Sequence, residues 1–167
     1  HTAGGYANVS RPLGRDGVSV RTRLYMPTGR QCGNADQTHP MAALYWGKGR
    51  YIKCVLTNPW NNDGTKTEMF FVVRTEREQR KVACPKPARA AWARWDLLPD
   101  EIALYVSTDL KTWEKVGAVP RAAAAGKPFA GAPSHAVLGT GWEDAASKND
   151  RLRNDAPGID DSWSYYD

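Results

Sequence analysis

The segment Ile102–Gly117 constrains this 167-residue chain more than any other. Ile102 to Val106 is β-branched and aromatic, and Trp113 to Val119 resumes the same extended pattern. Between them, Ser107 to Thr112 holds short side chains that hydrogen-bond a turn's own backbone. Strand, tight turn and strand in that order specify a β-hairpin.

Period-two alternation extends this reading over the rest of the chain. Val18 to Met26 alternates, placing Val18, Val20, Leu24 and Met26 inward and Arg21, Arg23 and Tyr25 outward. Met41–Trp46 and Tyr51–Thr57 are strands joined at Gly47-Lys-Gly49, and Asn58–Gly64 turns into a strand over Glu68–Thr75. Gln79–Ala83, Ser134–Leu138 and Asp161–Tyr166 complete the strand set. Two short helices are expected, Ala88–Trp95 and Arg121–Ala125, with Pro at 85, 87, 99, 120 and 128 limiting both. Some nine short strands without alternating helices predict an all-β fold, a two-sheet antiparallel β-sandwich filling one domain over residues 1–167. The hairpin is not repeated, which excludes a multi-blade propeller.

The net charge of +5 comes from Lys and Arg spread over most of the chain, which leaves open a nucleic acid, an acidic polysaccharide or no anionic partner at all, the last being the commonest case for so moderate a charge; a nucleic-acid partner is not expected. The basic run Arg74–Arg94 reads as an edge strand whose charges discourage sheet pairing. No apolar run approaches the roughly 18 residues of a membrane span, so no membrane partner is expected, and the expected state is a monomer. Three cysteines allow one bridge. Cys54 shares a strand face with Ile52 and Leu56 and should be a buried thiol, leaving Cys32 to pair with Cys84, both in turn-like surroundings. Such a bridge, with seven Trp, seven Tyr and Asn/Gly loops, points to a secreted protein. A chain opening at His1 is expected to be a processed secreted protein or a trimmed fragment. Asn8-Val-Ser10 is a glycosylation sequon.

The Ser-x-Asp-Leu-x-x-Trp-x-x-Val-Gly hairpin resembles hairpins of secreted carbohydrate-active proteins. Gly17–Pro27, Met41–Trp46, Gly49–Leu56 and Glu101–Ser107 resemble strands of concanavalin-like jelly rolls of the laminin-G or polysaccharide-lyase type. That resemblance implies a jelly-roll sandwich that binds a glycan on a sheet or loop rim. Sugar C–H faces stack on aromatic rings beside polar groups, so the expected ligand residues are Trp60 at a loop tip, then Tyr25, Tyr45 and Trp46, with Arg21 and Arg23. Trp92, Trp95 and Trp113 are assigned to the core.

Arg21-Thr-Arg-Leu-Tyr, Gln37-Thr-His39 and Tyr45–Tyr51 partly resemble the motifs of family seven alginate lyases. The resemblance implies an alternative in which Arg21 and Arg23 neutralise a uronate carboxylate while His39, Tyr45 or Tyr51 moves the proton. Two further alternatives are expected less. An N-terminal histidine is the mark of copper polysaccharide monooxygenases, where His1 would be joined by His39 or His135, with Tyr6, Tyr165 or Tyr166 beside the metal. A small basic ribonuclease would use His39 and His135. No cofactor is expected otherwise, except a structural calcium held by Asp155, Asp160 and Asp161 in the Asp-rich C-terminal segment.

Overall fold

The computed structural model describes residues 8–12, 19–25, 39–47, 50–57, 68–75, 78–84, 90–121 and 128–141, and every regular element among them is a strand. In chain order these are β1 (Asn8–Pro12), β2 (Ser19–Tyr25), β3 (His39–Gly47), β4 (Arg50–Thr57), β5 (Glu68–Arg74), β6 (Gln79–Ala83), β7 (Ala90–Leu97), β8 (Glu101–Ser107), β9 (Glu114–Pro120) and β10 (His135–Gly141). They form two antiparallel sheets, one of six strands in the order β1-β10-β3-β4-β5-β6 and one of four in the order β2-β7-β8-β9. The expected β-sandwich is present. Most neighbours are consecutive hairpins, β3 to β6 in one sheet and β7 to β9 in the other, while β2 packs across onto β3 and β4.

The core between the sheets is what the alternation dictates. Leu44, Ile52, Cys54, Leu56, Phe71 and Val73 of the larger sheet meet Leu24, Trp95, Leu97, Ile102, Leu104 and Val119 of the smaller one. Each fully buried Leu or Ile here contributes about 1.5–3 kcal/mol. The larger sheet is buried on its other face too, by Met41, Ala43, Tyr45, Tyr51, Val55, Phe70, Val72 and Val137. Lys53 is fully buried on that face, 5.8 Å from the Tyr51 ring centroid. The basic edge expected from the sequence is β6, where Arg80 and Lys81 are exposed, and Arg80 Nη2 donates to the Ala118 carbonyl of β9 at 2.8 Å.

The expected helix Ala88–Trp95 is corrected to strand β7. Ala91 and Ala93, read as helix formers, are small inward residues that make room for Trp95, which meets Phe71 edge-on at 5.4 Å. Packing overrides the modest intrinsic preference of alanine for helix. Of the second expected helix, Arg121 follows β9 without regular structure and the remainder lies outside the described residues. So does the expected strand Asp161–Tyr166.

Cys54 is buried as expected, but Cys84 is corrected from a turn position to the core, where it too is buried. Both are free thiols, and among the described residues there is no disulfide; Cys32 lies outside them. Burial pushes the Cys54 thiol up, and burial followed by the Glu114 charge pushes Cys84 up to about 12, so neither is a nucleophile at neutral pH.

The β8–β9 turn is built by the residues that predicted it. Ser107 Oγ accepts from the amides of Asp109 and Leu110 at 3.3 and 2.9 Å, and Asp109 Oδ1 accepts from those of Lys111 and Thr112 at 2.8 Å each. Leu110 takes φ 65°, the left-handed region. Those amides, Thr112 first and then Lys111, hold the Asp109 carboxyl below its ordinary 3.8. A depressed folded value means that stability from this turn is fully present above the ordinary Asp value and is lost as pH falls through the folded one. Asp109→Asn should therefore lower the melting temperature at neutral pH and flatten its decline in acid, as read by circular dichroism from pH 7 to 2. Parallel acid profiles for both proteins would show that Asp109 does not tie the turn.

Candidate functional site

Inward residues of the four-stranded sheet alternate with an outer face that is open rather than sealed. On β2 this face carries Ser19, Arg21 and Arg23, and on β7 it carries Trp92, Arg94 and Asp96. Register then aligns rows across the strands. Arg21 lies opposite Arg94, Arg94 opposite Tyr105 of β8, and Tyr105 opposite Lys115 of β9. One step along, Arg23 lies opposite Trp92 and Trp92 opposite Ser107. With strands about 4.8 Å apart, each row is a near-continuous line of side chains.

The centre is an arginine stacked on two rings. Arg94 Cζ lies 4.1 Å from the Tyr105 ring centroid and 4.6 Å from that of Trp113, which is half-buried at the end of the β8–β9 turn. Guanidinium over aromatic is worth about 0.5–2 kcal/mol per contact, depending on desolvation. Arg94 Nη2 also pairs with Asp96 Oδ2 at 3.1 Å, and Ser19 Oγ donates to Asp96 Oδ1 at 2.7 Å. Asp96 thereby relieves the repulsion between Arg94 and Arg21 on the neighbouring strand. At the far edge Lys115 Nζ meets Glu101 Oε1 at 2.6 Å, a bond that raises the lysine above its ordinary value.

Of the residues predicted from the sequence, Arg21 and Arg23 reach this face and are exposed on it. Tyr25 ends β2 opposite Ala90, its side chain outside what is described. Tyr45 and Tyr51 are corrected: they face each other across β3 and β4 on the opposite side of the sandwich and are 2% and 0% exposed. Trp46 is corrected to the core at 8% exposure, its Nε1 donating to the Gly131 carbonyl at 2.9 Å and its ring edge-on to Phe129. His39 opens β3 opposite Gly141, in the six-stranded sheet. The elimination site that pairs Arg21 and Arg23 with Tyr45 or Tyr51 is therefore corrected, because two sheets separate the arginines from the tyrosines; the side chain of His39, the other expected proton carrier, lies outside what is described. His135 opens β10, half-buried, with Nδ1 3.1 Å from Ser134 Oγ. His1, Tyr6, Trp60, Asp155, Asp160, Asp161, Tyr165 and Tyr166 lie outside the described residues. Among the described residues no three His, Cys, Asp or Glu side chains gather as a metal would need, and no helix is long and apolar enough to cross a membrane.

Sequence reasoning missed Trp92, Arg94, Tyr105 and Trp113 as site residues and placed both tryptophans in the core. The signal was there: Trp92, Arg94 and Asp96 alternate with Ala91, Ala93, Trp95 and Leu97 at period two. Reading 88–95 as helix hid it.

No family model and no curated protein matches the chain. Among solved structures it is similar to a functionally unknown protein from Saccharomyces cerevisiae, at 14% identity and a TM-score of 0.51 over 80% of this chain and 62% of that one. Two structures of the GH43 protein BlXynB from Bacillus licheniformis, one of a point mutant, align at a TM-score of 0.48 over 72% of this chain. Their identities are 12% and 13%, and 23% and 26% of those chains are covered. The chain thus spans about three fifths of the yeast protein and about a quarter of the bacterial one. The yeast likeness concerns the fold.

Proposed function

We propose that this domain binds a polysaccharide outside the cell, on the outer face of its four-stranded sheet. The observation that carries the reading is the Arg94 guanidinium stacked on Tyr105 and Trp113, with exposed Arg21 and Arg23 beside it. A polyol needs aromatic surface for its C–H faces and both donors and acceptors for its hydroxyls. This face offers Trp92, Tyr105 and Trp113, the donors Arg21, Arg23, Arg94 and Lys115, and the acceptors Asp96 and Glu101. A nucleic acid presents one unbroken line of phosphates and favours a uniformly basic surface, which Asp96 and Glu101 interrupt. The resemblance of the β2, β3, β4 and β8 sequences to concanavalin-like sandwiches supports the same reading. Binding alone is proposed, with no cofactor.

Trp113→Ala should weaken retention by the best-bound soluble polysaccharide about tenfold, the loss of one stacking platform worth about 1.4 kcal/mol. Trp92→Ala should act in the same direction. Affinity electrophoresis on a panel of neutral and acidic polysaccharides reads both, with circular dichroism confirming the fold. Unchanged mobility of both variants on every glycan that retains the parent would remove this face from the reading.

A further inference from the structure

The four cations on this face are not equivalent. Arg94 is committed to Asp96 and to two rings, and Lys115 to Glu101. Asp96 is held in turn by Ser19. Arg21 and Arg23 remain, both exposed, and neither has an ion-pair partner among the described residues. They sit on one face of one strand, two residues and so about 6.6 Å apart. That strand is an edge of the four-stranded sheet. The face is thus divided into an internally neutralised aromatic centre over β7 to β9 and a rim of two uncompensated guanidinium groups along β2.

We infer that the ligand is an acidic polysaccharide, and that Arg21 and Arg23 are the residues that select its oxyanions while Arg94 acts as a positioning residue for Tyr105 and Trp113. This rests on the polysaccharide reading and adds to it the ligand's charge and the residues that sense it. The chemistry is that of a planar fork of donors against a carboxylate or a sulfate ester, each of which accepts two parallel N–H bonds. Two such forks on one strand suit a polymer that repeats its anion, since the second contact is made by a ligand already held by the first. Arg94 cannot serve in this way without leaving Asp96. A neutral polymer would use the aromatic centre and gain from the rim only single hydrogen bonds to its hydroxyls, weaker than a charge-assisted fork.

The test measures binding by isothermal titration to three soluble polymers of similar length, one neutral, one bearing uronate carboxylates and one bearing sulfate esters. The Arg21→Gln/Arg23→Gln double variant is compared with the parent; both positions are exposed, and circular dichroism checks the fold. The expected result is a drop of about tenfold or more for the preferred acidic polymer, with the neutral polymer changed less than about twofold. Arg21→Lys/Arg23→Lys should recover only part of the loss, because an ammonium keeps the charge and lacks the fork. The carboxylate and sulfate arms identify which oxyanion is read, and a preference for either supports the inference. Equal binding of neutral and acidic polymers, untouched by the double Gln variant, overturns it and leaves polysaccharide binding standing. Binding of none of the three overturns both. Tighter binding of a single-stranded polynucleotide than of any glycan also overturns both.

Discussion

Arg121→Ala is expected to destabilise the domain by about 3–5 kcal/mol, enough to remove a large share of the total stability of a domain this size. Arg121 is 3% exposed and immediately follows β9. Its Nε donates to the Phe129 carbonyl at 3.2 Å, Nη1 to that of Leu98 at 3.1 Å and Nη2 to that of Gly131 at 2.5 Å. One side chain therefore ties three places together: the end of β9, the segment between β7 and β8, and the turn that leads into β10. The same turn is fixed from the other sheet by Trp46, whose indole donates to Gly131 and whose ring packs on Phe129. Deleting the guanidinium takes the side-chain donor from the Phe129 and Leu98 carbonyls and leaves Gly131 to Trp46 alone, and an acceptor left buried without a donor costs about 1–3 kcal/mol. These costs, with the lost packing of a buried side chain, do not sum fully, because water enters where the side chain was.

Arg121→Lys should recover only a minority of the loss, since a single ammonium cannot reach three carbonyls arranged for a fork. Chemical denaturation of the three proteins, with linear extrapolation to water, gives the comparison. A midpoint for Arg121→Ala within error of the parent would mean that the turn is held by other contacts. Full rescue by lysine would mean that charge rather than geometry matters.

The sequence showed the fold wherever alternation was uninterrupted. Val20 and Leu24 pack inward and Arg21 and Arg23 outward as their spacing predicts, and β6 coincides with the expected Gln79–Ala83. The Ser107–Thr112 turn was legible because Ser107 and Asp109 satisfy the turn's own amides, a local interaction. Long-range facts were not legible. Tyr45 and Tyr51 occupy outward positions in the pattern, and only the second buried face of the six-stranded sheet takes them out of solvent. Cys84 precedes a proline and reads as a turn, yet its amide donates to the Met69 carbonyl and its side chain faces the core. The site was half legible for the same reason. Arg21 and Arg23 follow from one strand, whereas the stack of Arg94 on Tyr105 and Trp113 needs the registers of β7 with β8 and β8 with β9.

Trp95 offers the second large effect, and two substitutions there separate packing from hydrogen bonding. The residue is 1% exposed at the centre of the sandwich, edge-on to Phe71 with the rings inclined at 87°. Trp95→Ala removes the largest fully buried side chain among the described residues, and such truncations cost about 3–5 kcal/mol, the lost transfer energy plus the cavity. Its neighbours Ala91 and Ala93 are too small to collapse into the space. The indole Nε1 is buried without a hydrogen-bond partner among the described residues, so the folded state already bears the penalty of desolvating that N–H. Trp95→Phe deletes the unpaired donor along with part of the ring, and the two effects oppose each other. It should cost less than about 2 kcal/mol, well under half the alanine value. Urea titrations of both variants decide the matter, because a polar partner at Nε1 would bring the phenylalanine substitution close to the cost of the alanine one.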